Sequence, residues 1–176
     1  LGSGNLDNAY TVTYSGVSGT SDVATVNVAT TTADLALGAI TVAGVETLTV
    51  NATGGFDASY GLVADAATSI TLTADAETTA DTGAGAVNVE SATVTSLTIN
   101  ASNDVTVTDA TTAAAKLFNV TANAETATSQ ITLTTLTPTA TATSDTFTVT
   151  ATGAGTVVYT AENTAFGTQS TTNADS

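Results

Sequence analysis

The chain has 176 residues, 42% of them hydrophobic and only 5% aromatic, and it carries one basic residue, Lys116, against 16 acidic ones for a formal charge of −15. It contains neither His nor Cys, which removes Ser-His-Asp and Cys-His catalysis, imidazole- or thiolate-bound zinc and disulfides. The charge argues against nucleic acid and anionic membrane as partners, and no segment offers the apolar run of about 20 residues that a membrane helix needs.

A quarter of the residues are Thr, which with Val is β-branched and favours strands. The first strand signals are Tyr10–Tyr14 and Val23–Val28, which could pair as an antiparallel hairpin around Ser15–Gly19. An alternation of apolar residues with Thr or Asn follows: Leu48-Thr49-Val50-Asn51, Ile70-Thr71-Leu72-Thr73, Val87-Asn88-Val89-Glu90 and Leu97-Thr98-Ile99-Asn100. It continues in Val105-Thr106-Val107-Thr108, Phe118-Asn119-Val120-Thr121, Ile131-Thr132-Leu133-Thr134 and Phe147-Thr148-Val149-Thr150. A period of two puts the apolar set on one sheet face and Thr or Asn on the other.

Turn signals separate these strands: Thr53-Gly54-Gly55, Asp75 to Asp81, Gly83-Ala84-Gly85 and Ser102-Asn103-Asp104. Thr111 to Lys116 could form a single helical turn, and Pro138 marks a break. Beyond it, Thr146–Ala151 and Thr156–Ala161 read as a second hairpin across Thr152–Gly155.

Similar strands with variable connections predict a repeat architecture. The reading is all-β: a parallel β-helix or β-solenoid of short Thr/Val-rich strands, with an immunoglobulin-like β-sandwich as the alternative. The division expected is an N-terminal strand pair or cap over 1–35, solenoid repeats over 36–137, and C-terminal strands and tail over 138–176. Leu1 is no initiator and no signal peptide is visible, so the chain reads as a segment of a longer one.

With almost no cations in the chain, the carboxylates must be solvated, protonated or metal-bound. Hard oxygen donors favour Ca2+. The candidate ligands are Asp75, Glu77 and Asp81 beside Gly83; Asn103, Asp104 and Asp109; and Asp57 with Asp65. The plainer reading of each group is a solvated turn, since Asp and Asn are ordinary turn formers. Glu46, at a strand entry beside Gly44, is either a metal or interface carboxylate or a solvated rim residue.

No enzyme is expected. A carboxylate-pair glycosidase is the one common chemistry the composition allows, and it lacks Trp sugar platforms. Thr-x-Thr pairs such as Thr71/Thr73, Thr106/Thr108 and Thr132/Thr134 have the local form of an ice-ordering face. Such a face needs many rungs in even register, and the uneven strand spacing argues against it. The sequons at Asn51, Asn100 and Asn119 arise readily by chance in a Thr-rich chain.

One stretch carries a family resemblance. Ile40-Thr41-Val42-Ala43-Gly44-Val45-Glu46-Thr47-Leu48-Thr49-Val50 resembles the xVxGVExLxI strand entry of calcium-dependent, RTX-type surface-layer proteins of Gram-negative bacteria, of the Caulobacter type. Phe56-Asp57-Ala58-Ser59 is similar to their xDAS turn, and Thr68–Leu72 and Thr95–Ile99 are similar to their xTSLTI rungs. Tyr10–Val28 resembles their N-terminal strand pair, so the likeness covers roughly residues 10–135. The full Gly-Gly-x-Gly-x-Asp nonapeptide is absent; Leu1–Asn5 and Gly54–Asp57 echo it in part.

The resemblance implies a right-handed β-helix, type I secretion without a cleaved N-terminal signal, and calcium-dependent assembly into a two-dimensional lattice. The expectation is therefore an extracellular structural protein of a bacterial cell surface. Its partners would be copies of itself and cell-surface polysaccharide, with acidic loops bridged by calcium. A repeat module of a large adhesin, or a filament subunit, is the alternative.

Overall fold

The computed structural model describes residues 10–14, 17–29, 35–53, 58–74, 85–109, 119–134, 146–159 and 168–173. Their regular structure is all strand: β1 (Tyr10–Val12), β2 (Val23–Ala29), β3 (Leu35–Val42), β4 (Thr47–Thr53), β5 (Ala58–Val63), β6 (Ser69–Ala74) and β7 (Gly85–Glu90). Then come β8 (Ser96–Ala101), β9 (Val105–Asp109), β10 (Asn119–Ala124), β11 (Gln130–Thr134), β12 (Thr146–Gly153), β13 (Thr156–Tyr159) and β14 (Thr168–Asn173).

Odd-numbered strands build one seven-stranded sheet and even-numbered strands another. Every pairing is parallel. Each coil thus lays one strand in each sheet before the next coil stacks on it, which is a β-solenoid. The sandwich alternative is set aside, because its hairpins and Greek keys need antiparallel neighbours.

Both expected hairpins are corrected by this pairing. β1 lies beside β3 and β2 beside β4. β12 pairs with β10 and β14, whereas β13 pairs with β11. The residues between β12 and β13 turn a corner rather than reverse the chain. Gly153 takes φ +88° there, and the Gly155 N–H donates to the Ala124 carbonyl of the coil below at 2.9 Å. The expected turn at Ala58-Ser59 is also replaced, by the start of β5. The Thr111–Lys116 turn and Pro138 lie outside the described residues.

The core explains why small apolar residues suffice. In the even sheet, Ala24, Leu48, Ile70, Leu97, Val120 and Val149 form one buried column in register. Val50, Leu72, Ile99 and Ala122 form the next, and Val28, Ala52, Ala101 and Ala124 a third. The odd sheet answers with Tyr60, Val87, Val107 and Leu133 in one column. Each fully buried Leu or Ile contributes about 1.5–3 kcal/mol of transfer free energy. At the C-terminal end of the described stack, the Phe147 and Tyr159 rings meet edge-tilted, with centroids 5.9 Å apart at 55°.

Candidate functional site

Among the described residues, Asp22, Glu46, Asp65, Asp104 and Glu125 lie at corners, while Glu90 and Asp109 end strands. The corners are built by backbone contacts between coils. The Asp22 carbonyl accepts from the Glu46 and Thr47 N–H groups at 3.2 and 3.0 Å, and the Glu46 carbonyl accepts from Thr68 and Ser69 at 2.9 and 3.1 Å. The Thr68 carbonyl continues the series with Thr95 and Ser96, at 2.9 and 3.2 Å. Gly44, at φ +71°, admits the turn into this corner, Val45 drops into the core, and Glu46 Oε2 accepts the Asp22 N–H at 2.9 Å. The Gly-Val-Glu element therefore serves the local structure in three ways, as a bend, a core plug and a charge-assisted cap on the preceding coil.

Of the expected calcium ligands, Asp57, Asp75, Glu77 and Asp81 lie outside the described residues. Asp65 stands exposed in the turn between β5 and β6. Asn103 and Asp104 form the bend between β8 and β9, and Asp104 Oδ1 accepts the Gln130 N–H of the next coil at 2.7 Å. Asp109 closes β9, a strand's length away from that bend. Among the described residues no three acidic side chains converge as a metal site would require.

The outer face of the even sheet is different in kind. Its central column is Thr throughout: Thr25, Thr49, Thr71, Thr98, Thr121 and Thr150, each the register partner of the next. The register continues to Thr172 in β14. Two residues earlier on each strand run Val23, Thr47, Ser69, Ser96, Asn119 and Thr148, and two residues later Asn27, Asn51, Thr73, Asn100, Asn123 and Thr152. Apart from Val23 at one end, every position is Thr, Ser or Asn.

Side-chain bonding sorts these columns. The last is cross-linked between coils: Asn51 Nδ2 donates to Asn27 Oδ1 at 3.0 Å, Asn123 Nδ2 to Asn100 Oδ1 at 3.2 Å, and Thr152 Oγ1 to Asn123 Oδ1 at 3.3 Å. The central Thr hydroxyls from Thr25 to Thr150 make no hydrogen bond among the described residues and are left to solvent.

The uneven connections do not disturb this array. In the even sheet the offset between stacked positions ranges from 22 residues, Glu46 to Thr68, to 29, Asn123 to Thr152. The corners absorb the difference, so the strands remain in step. Irregular spacing in the sequence therefore does not exclude an even face, and that expectation is corrected.

The outer face of the odd sheet is less regular. Its register shifts between Ala36 and Ala39, and it carries Glu90 and the 40% exposed Val158. It also bears a shallow depression of about 290 Å³ lined by Ser59, Gly61, Ala86, Asn88 and Thr108, with no carboxylate or cation among them. No helix among the described residues is long and apolar enough to cross a membrane.

Comparison with protein-family models, curated proteins and solved structures returns no match for the chain.

Proposed function

We propose that this chain is a structural segment of a bacterial cell-surface layer, working outside the cell and assembling laterally with copies of itself. The observation that carries the reading is the direction of the ladder. Among the described residues, β2 and β14 flank one sheet and β1 and β13 the other, and each pairs on one side only. In a parallel stack the two ends are unlike. An end-on contact, with a next domain or a next subunit, is therefore heterologous, and where its rotation does not close it repeats as a layer or polymer requires.

The acidic corners set the condition for side-by-side packing. At −15, copies repel one another until a counter-ion intervenes. Calcium in this reading lies between copies, shared by acidic corners of two. Cell-surface polysaccharide is the anchor in this proposal. No catalytic role is assigned.

The test is a calcium titration followed by light scattering and negative-stain microscopy. Chelator-reversible growth into sheets supports the surface layer. One-dimensional polymers would favour a filament subunit, and monomers that only stiffen would favour an adhesin spacer. No change in size, stability or heat on adding calcium would remove calcium from the account.

A further inference from the structure

We infer that the Thr, Ser and Asn face of the even sheet is an ice-binding surface. Three properties of the face carry this, and none depends on the surface-layer proposal.

The first is periodicity. Stacked strands place equivalent positions about 4.8 Å apart, and alternate residues along a strand lie about 6.6 Å apart. The central column and its two flanks thus form a two-dimensional net of hydroxyl and amide groups with those repeats. The oxygen lattice of hexagonal ice has repeats of the same order, a little shorter than the step between coils and longer than the step along the strand. The six described Thr of the central column keep register without a bulge.

The second is rigidity. Thr is β-branched and stiff at χ1, so equivalent residues on a regular ladder hold their hydroxyls alike. In the flanking column, Asn27 with Asn51 and Asn100 with Asn123 are tied by hydrogen bonds between coils. A preorganised array loses little entropy when it orders water, and many weak contacts on one rigid body then add.

The third is neutrality. The chain bears 16 acidic residues, yet none occupies these columns. A carboxylate would hold its own hydration shell and interrupt a water lattice. The face offers instead a methyl beside each free Thr hydroxyl, which orders water without binding it tightly. The odd sheet, with its register shift and Glu90, lacks this combination.

The experiment is ice-affinity partition of the fluorescently labelled chain at micromolar concentration, in chelator, alongside thermal hysteresis and crystal-shape measurements. The wild-type chain is expected to enter the growing ice and to facet it. Thr71→Lys with Thr98→Lys is expected to lower incorporation at least tenfold, whereas Thr106→Lys with Thr132→Lys on the other sheet leaves it unchanged. Circular dichroism confirms that each pair stays folded. If the first pair does not, Thr98→Tyr alone takes its place.

Exclusion of the wild-type chain from ice would overturn the inference, as would incorporation that survives the Thr71/Thr98 substitutions. Binding to crystalline cellulose or chitin but not to ice would reassign the face to a polysaccharide. Oligomers that the same pair dissolves, with no ice binding, would reassign it to a second copy. Because calcium is absent throughout, failure here leaves the surface-layer proposal standing, and failure of the calcium titration leaves this one standing.

Discussion

Leu97 and Thr98 are neighbours in sequence and opposites in the fold. Leu97 is 2% exposed, in the inward column between Ile70 and Val120. Thr98 faces outward between Thr71 and Thr121. Leu97→Ala removes three carbons, roughly 2.4 kcal/mol at about 0.8 kcal/mol each. The cavity adds to that, because the ladder backbone above and below holds the walls apart, so a total of about 3–4 kcal/mol is expected. Thr98→Val keeps the shape and the β-branch and gives up a hydroxyl that has no hydrogen-bond partner among the described residues, so it should fall within about ±0.5 kcal/mol.

Equilibrium urea unfolding reads both. With a slope near 2 kcal/mol/M, the midpoint drops by about 1.5–2 M for Leu97→Ala and by under about 0.3 M for Thr98→Val. A slip of one residue would exchange the two faces of the strand. Equal shifts, or a larger loss for Thr98→Val, would refute the assigned register.

Gly153→Ala should cost about 1–3 kcal/mol or more, because φ is +88° and a Cβ would run into the Ala124 carbonyl; the thermal midpoint should fall by several degrees. Gly61→Ala, whose Cβ would meet Ala39 at an ordinary 3.7 Å, should leave the midpoint nearly unchanged. Burial raises the Tyr60 phenol above its ordinary value near 10. The stability linked to it is whole below pH 10 and is lost as pH climbs beyond; Tyr60→Phe should flatten that alkaline loss in pH-dependent melts. Glu46→Ala removes the acceptor of the Asp22 N–H and should cost about 1–2 kcal/mol in urea unfolding, with Glu46→Gln recovering part of it.

Period-two alternation made the core legible. Leu48/Val50, Ile70/Leu72, Leu97/Ile99 and Ile131/Leu133 all point inward, as the pattern requires. Parallel stacking followed from strands that resembled one another. Three strands escaped for separate reasons. β5 hides its alternation because Gly61 stands at an outward position between Tyr60 and Leu62. β3 opens on Leu-Ala-Leu-Gly, which reads as no clear period, and β14 is polar throughout.

The hairpin readings failed because a Gly-rich connection signals a change of direction without saying by how much. The Thr152–Gly155 segment turns a corner in which Gly155 bonds back to Ala124 of another coil, a partner no local pattern reveals. The role of Asp104 was hidden likewise: its acceptor serves Gln130, 26 residues away. The outward Thr were visible as pairs in the sequence. Their alignment into one column was not, since it depends on corners of unequal length bringing each strand back to the same height.

That alignment is open to direct measurement. The chain has no cysteine, so Thr25→Cys with Thr150→Cys accepts a pair of spin labels without competing sites. Five ladder steps separate the two positions, about 24 Å of backbone at about 4.8 Å per step. Pulsed dipolar spectroscopy should return one narrow distance distribution near that value, widened only by the label arms. A broad distribution, or a maximum well beyond it, would contradict the continuous ladder on which the proposed assembly and the ice-binding face both depend.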